Sequence, residues 1–168
     1  MSISIVGNKI RLTETEAEHL PLIMALEQDN LDFIGSFDRA GHQAFMHTTN
    51  SLHLSMIDLS NEDFVGFMLL DDVLSPHRHI EFKRFVVGIR QKGFGREAIR
   101  LCKKFCFEQL SAHSLWLDVF DDNPKAISLY ESEGFVFEGK KRECFLDTKG
   151  FRSQRFYSML ESEYKPII

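Results

Sequence analysis

The stretch Glu81-Phe-Lys-Arg-Phe-Val-Val-Gly-Ile-Arg-Gln-Lys-Gly-Phe-Gly-Arg-Glu-Ala98 runs from a β-rich segment into a basic, glycine-bearing loop and reopens as a helix. Phe82, Phe85, Val86 and Val87 favour a strand. From Glu97 to Leu110 the spacing of Ala98, Leu101, Cys102, Phe105 and Gln109 predicts one face of a helix. Between the two lie Arg90, Lys92, Gly93, Gly95 and Arg96. Glycines let a backbone take positive φ and approach a ligand closely, and the first N–H groups of a helix have no intrahelical partner. With the partial positive charge of a helix end and three cations beside it, such a turn suits an anion, and a phosphate in particular. Glycine for turn geometry and basic residues for solubility would account for the same letters, so the loop alone does not decide.

The rest of the chain bounds the answer. Its 168 residues fit one domain, residues 1–168, and 43% hydrophobic residues supply a single core. A formal net charge of −5 argues against nucleic acid as the main partner, because that binding depends on a basic surface, and mildly favours a cationic substrate. Cys102, Cys106 and Cys144 form no CxxC pair or disulfide framework, and His77 and His79 lack a third ligand at suitable spacing, so no metal is expected. No apolar run approaches a membrane span and no basic flank precedes an apolar segment at the start, which makes a cytoplasmic protein the expectation.

Read in order, Ile3 to Leu12 is β structure interrupted at Gly7-Asn8. Thr15-Glu-Ala-Glu18 matches a capping box opening a helix to about Glu27, with Leu20, Ile23, Met24 and Glu27 on one face. A second short helix over Arg39 to His47 carries His42 and His47, read as exposed helix histidines. Period-two patterns from Ser51, from Phe64 and from His79 predict three successive antiparallel strands. Ser114 to Phe120 reads as a buried strand parallel to the one before the loop. Asn123 is then an N-cap, Pro124 the first helical residue and Gly134 the residue beyond the end, with Ile127 and Tyr130 on one face between them. A long hairpin, Phe135 to Asp147 and Phe151 to Leu160, closes the chain.

Arg90-Gln-Lys-Gly-Phe-Gly95 meets the pattern Gln/Arg-x-x-Gly-x-Gly/Ala, and Asn123-Pro-Lys-Ala-Ile-Ser-Leu-Tyr130 with Glu131-Ser-Glu-Gly-Phe135 follows it after one strand. On these two motifs the chain resembles the GNAT superfamily of acyl-CoA N-acyltransferases. The closing hairpin is similar to the branch with ribosomal-protein N-terminal and spermidine acetyltransferases. The resemblance implies an α/β (α+β) fold: a mixed, mostly antiparallel central sheet with a splayed parallel pair and flanking helices. It also implies acetyl-CoA as cosubstrate and a primary amine as acceptor, either a polyamine-like small molecule or a protein N-terminal α-amine. A non-catalytic acyl-CoA sensor on the same fold is the alternative.

Site residues follow residue by residue. The backbone of Phe85, Val86 and Val87 would pair with the pantetheine arm as an added strand does, and amides of Gln91, Lys92, Gly93, Phe94, Gly95 and Arg96 would hold the pyrophosphate. Arg90, Lys92 and Arg96 would add charge. Asn123 would touch the cofactor while capping its helix. In the family a tyrosine at the position of Tyr130 serves as general acid, and several members place a glutamate base where Glu81 stands. Alternation puts Glu81 on the strand face of Lys83, Phe85 and Val87; it would act directly or through a water relay, and a glutamate merely paired with a Lys or Arg at a strand start is the plainer reading. Lys92 stands where many members have glycine, and the Val87-to-Arg90 approach is shorter than usual. The long aromatic hairpin suggests a homodimer.

Overall fold

The computed structural model describes residues 3–90 and 92–166. Eight strands form one sheet in the order β1-β2-β3-β4-β5-β6-β8-β7. Strands β1 (Ser4–Val6), β2 (Ile10–Glu14), β3 (Ser51–Asp58), β4 (Phe64–Asp71) and β5 (His79–Val87) are antiparallel neighbours. β6 (Ser114–Phe120) is parallel to β5, and β8 (Gly150–Leu160) pairs antiparallel with both β6 and β7 (Val136–Asp147). Helices α1 (Leu20–Asp29) and α2 (Arg39–Met46) cover one face of the sheet; α3 (Phe94–Lys104) and α4 (Pro124–Ser132) cover the other.

One feature of the sheet makes the site. β5 and β6 are paired only over His79–Glu81 and Ser114–Trp116. Beyond that point β6 stays bonded to β8 and β5 to β4, so the two strands splay and leave one edge of Phe82–Val87 without a ladder partner. An unpaired strand edge inside a fold is a template for another extended chain.

Two sequence expectations fail because tertiary contacts outweigh local signals. Thr15 does not cap a helix: its hydroxyl is buried against Ser55 Oγ (2.8 Å) and His53 Nδ1 (2.9 Å), and the short 3-10 turn Ala17–His19 has no side-chain cap. His42 is not exposed but wholly buried, between Glu27 and His53. The helix after the loop begins earlier than its apolar spacing indicates, at Phe94, and ends in a π-helical turn, Phe105–Gln109, where Leu110 N–H donates to Phe105 O. The wider turn rotates the face, so Phe107 is buried and Gln109 exposed.

α3 and α4 are locked together by Glu133, whose carboxylate meets Arg96 (2.5 Å), Arg100 (3.0 Å) and Lys103 (3.2 Å) with only 3% of its side chain exposed. Burial alone would raise that carboxyl, but hydrogen bonds from Arg100, Arg96 and Lys103 outweigh it and hold it below the usual range. Glu133→Ala leaves Lys103 buried without its counter-charge, only the backbone carbonyl of residue 133 still accepting from Nζ, and should cost about 3 kcal/mol, a drop in Tm of roughly 10 °C. The folded carboxyl titrates below the unfolded one. Its stabilisation is therefore complete above the unfolded value and lost as pH falls through the folded one, so thermal unfolding should show the two proteins converging in acid.

Candidate active site

The splay opens a cavity of about 810 Å³ between the edge of β5, the outer half of β6, the start of α3 and the side of α4. Gly93, at φ +80°, takes the left-handed conformation at the N-cap of α3 and offers no side-chain cap, so the helix's first amides remain for a ligand. The loop is held from behind. Glu97, in the first turn of α3, accepts from the backbone N–H groups of Asn8 and Lys9, and Lys9 Nζ donates to Lys92 O (2.8 Å). Gly7 makes this possible, because a Cβ there would stand 2.3 Å from Glu97 Oε1.

Of the residues singled out in the sequence, Phe85, Val86, Val87, Arg90, Gly93, Phe94, Gly95, Arg96, Asn123 and Tyr130 all line this cavity. Gln91 lies outside the described residues. Lys92 faces a neighbouring recess, 4.0 Å from Asp58 and over the ring of Phe94, and Arg96 is drawn onto Glu133. Asn123 caps α4, accepting from Ala126 N–H at 3.3 Å. Tyr130 is almost wholly buried, edge-on to Phe82 and Phe135. Burial, then the charge of Asp118, push its phenol well above the ordinary value, so it is neutral at any working pH.

Glu81 is displaced from its expected place. Leu69 pairs with Arg84 and Leu70 with Phe82, so Lys83 is an extra residue, a β-bulge, and alternation changes phase there. Ile80, Phe82, Phe85 and Val87 pack towards α3, while Val86 packs towards α1. Glu81 therefore shares neither face with Phe85 and Val87 nor the cavity wall, and Lys83 Nζ sits 3.2 Å from it and from Asp71. Burial raises the Glu81 carboxyl, eased by Lys83.

The carboxylate that does line the cavity is Asp118 of β6. Its Oδ2 accepts from Gln154 Nε2 at 2.8 Å, and burial raises its pKa with Lys83 working against the rise. The sequence reading passed over Asp118 because it is one polar residue in an apolar strand; its alternation with the buried Leu117 and Val119 was the available signal.

The family model described as Acetyltransferase (GNAT) family matches residues 22–135. The chain belongs to the GNAT family. Membership makes it an acetyl-CoA-dependent N-acetyltransferase, with acetyl-CoA as cosubstrate. A spermidine N(1)-acetyltransferase of Vibrio cholerae is 31% identical over 110 residues, 65% of this chain and 64% of that protein, so the match spans just under two thirds of the relative. The Escherichia coli (strain K12) spermidine N(1)-acetyltransferase is 24% identical over 167 residues, covering 94% and 89%. Among solved structures, the V. cholerae spermidine N-acetyltransferase in complex with CoA and spermine superposes with a TM-score of 0.83 at 25% identity, covering 94% of this chain and 99% of that one. The GNAT fold expected from the motifs is the fold observed, with β5 and β6 as the splayed parallel pair. No helix among the described residues is long and apolar enough to cross a membrane.

Proposed function

We propose that residues 1–168 act as one catalytic domain in which an amine attacks the thioester of acetyl-CoA directly in a ternary complex. The observation that carries this reading is the run from the unpaired β5 edge to the open amides of α3, with Tyr130 and Asp118 both lining the same cavity. The backbone of Phe85–Val87 pairs with pantetheine, and Gly93–Arg96 holds the pyrophosphate with Arg90 adding charge. An alkyl amine is almost wholly protonated at neutral pH and must lose a proton before it attacks. A desolvated carboxylate of raised pKa takes it, and Asp118 stands nearer the reacting space than Glu81. When the tetrahedral intermediate collapses, negative charge moves to sulfur. A thiolate has a reference pKa of about 8.5, too weak a base to strip a phenol raised by burial. Tyr130 therefore serves by donating a hydrogen bond to the departing sulfur rather than by full transfer of its proton.

The acceptor is a primary amine. The relatives' names bring polyamines to this chain as one candidate, and an N-terminal α-amine is the other. A thiol-release assay with acetyl-CoA over polyamines, amino acids, aminoglycosides and N-terminal peptides tests the reading, run beside thermal unfolding with CoA. Release with at least one amine is expected. Stabilisation by CoA without release from any amine would instead make the protein an acyl-CoA sensor.

Self-association through the closing hairpin accompanies this reading. Phe137, Leu146 and Phe151 are half or more exposed, and one V. cholerae spermidine N-acetyltransferase structure is described as dodecameric. A light-scattering mass of 19.5 kDa across micromolar concentrations would overturn it. Cytoplasmic residence goes with the use of acetyl-CoA and with three cysteines that carry no disulfide.

A further inference from the structure

The loop between α1 and α2 gives Asn30, Phe33, Ile34 and Gly35 to the cavity, and Arg84 of β5 lines it too. Arg84 precedes the strand residues assigned to pantetheine, so the loop packed on it stands at the end of the cavity away from the phosphate loop, where the acetyl-transfer reading puts the amine. The packing is close. Arg84 Nη1 donates to Glu27 Oε1 at 2.5 Å, its guanidinium lies 4.4 Å over the ring of Phe37, and a Cβ on Gly35 would come within 3.2 Å of Nη2. Glu27, in the last turn of α1, gives its other oxygen to Phe37 N–H and to His42 Nε2, both at 3.1 Å. One carboxylate thus ties the far end of the loop, through its backbone, and β5, through Arg84, to the end of α1.

Glu27 is itself held from the core. His42 Nδ1 meets His53 Nε2 (3.0 Å), His53 Nδ1 meets Thr15 Oγ1 (2.9 Å), and Thr15 meets Ser55 (2.8 Å), and all of these residues are buried. Burial would raise the Glu27 carboxyl, but His42, Arg84 and the Phe37 amide outweigh it and keep it ionised; burial and the neighbouring His42 lower His53 to about 3. With Glu27 an acceptor and His53 neutral, every donor can point one way: Ser55 to Thr15, Thr15 to His53, His53 to His42 and His42 to Glu27. The surroundings are apolar, with Leu20, Ile23, Phe67 and Leu69 fully buried beside the relay. A charge pair in such a place adds little net stability, because desolvation offsets the attraction, but it restricts geometry, since few arrangements satisfy every donor. The loop has a second tie, Lys149 Nζ to Asp32 Oδ1 at 3.0 Å, in which both side chains are more than half exposed. Exposed pairs of that kind hold little. The order of the loop's far end therefore comes from the buried side.

Resting on the acetyl-transfer reading above, we propose that Glu27 and Arg84 are positioning residues for the acceptor amine: their clasp sets the α1–α2 loop as a fixed wall of the cavity, and His42 and His53 hold Glu27 at the angle the clasp requires. The clasp acts through the loop and not on the reacting atoms. What it supplies is preorganisation, because an amine that enters a cavity whose wall is already in place does not have to order that wall on binding. The effect falls on the amine and not on acetyl-CoA, whose arm and pyrophosphate rest on the β5 edge and the α3 amides.

The test uses the double change Glu27→Gln with Arg84→Met, which removes both charges so that neither is left stranded, and thermal unfolding checks that it folds. Amide hydrogen exchange of the full chain is the first readout. In the variant Phe37 N–H donates to a neutral amide instead of a carboxylate and its ring loses the guanidinium, so its exchange should quicken about tenfold. Lys149→Ala, which breaks only the exposed pair, should leave Phe37 exchanging as slowly as in the wild type. Thiol release is the second readout, with spermidine tried first among the amines of the panel above. The double variant should raise KM for the amine about tenfold while KM for acetyl-CoA stays at its wild-type value, and Arg84→Lys, which keeps a cation beside Glu27, should fall between the two. Unchanged Phe37 exchange in the double variant, exchange quickened as much by Lys149→Ala, an amine KM that holds while only Tm falls, or Arg84→Lys as impaired as the double change would each overturn the clasp. Absence of thiol release with every amine would instead overturn the acetyl-transfer reading beneath it, and Phe37 exchange alone would then decide whether Glu27 and Arg84 order the loop.

Discussion

Asp118→Asn is expected to lower kcat/KM for the amine by about a hundredfold or more at neutral pH, the usual worth of a positioned general base. Asparagine keeps the shape and an oxygen that can accept from Gln154 Nε2, so the hairpin contact survives and the loss reports on charge. The sign of the pH dependence follows from the raised carboxyl. The wild-type rate should fall as pH drops through the Asp118 pKa, since the base is then protonated, whereas the variant should lose that limb and recover at high pH as the amine deprotonates in solution. Glu81→Gln, measured alongside, should show the smaller defect, because Lys83 already occupies the Glu81 carboxylate. A larger loss in Glu81→Gln, rescued at high pH, would move the base to Glu81 and leave Asp118 as a neighbour that tunes it.

Tyr130→Phe should lower kcat at least tenfold at saturating amine, with little change in acetyl-CoA affinity. The ring packs edge-on against Phe82 and Phe135, so phenylalanine keeps the packing and removes only the hydroxyl. If the tyrosine donates a hydrogen bond to sulfur, the defect should shrink with acyl donors whose thiols are more acidic, because such leaving groups need less help. An unchanged kcat would take Tyr130 out of the chemistry and return it to the core.

The sequence made the cofactor side legible because its signals are local. A positive-φ glycine before a helix, and Asn123-Pro124 with Gly134 around the next one, are each decided within a few residues, and each stands where expected. The acceptor side depends on contacts distant in sequence. His42 looked like a surface residue because nothing nearby reveals that Glu27 and His53 will enclose it, and Thr15 looked like a cap because its partners lie about forty residues away. Glu81 was set on the wrong face because strict alternation was assumed across a bulge. Asp118 was missed because a strand's cavity-facing side is fixed by where its neighbour departs, and pairing between β5 and β6 ends at Glu81 and Trp116.

The bulge at Lys83 also bears on how such a strand can change length. Its neighbours on either side, Phe82 and Arg84, already pair with consecutive residues of β4. Deleting Lys83 would therefore leave Glu81, Arg84 and Val86 on one side of the ribbon and Phe82, Phe85 and Val87 on the other, with no residue turned over. Single-residue gain or loss is normally ruinous in a strand buried on both sides; here it falls on the one position that the ladder has already skipped. The strand thus carries one position, Lys83, whose loss would remove a cavity-lining cation and its pairs with Asp71 and Glu81 yet leave the facing of every other residue in the ribbon unchanged.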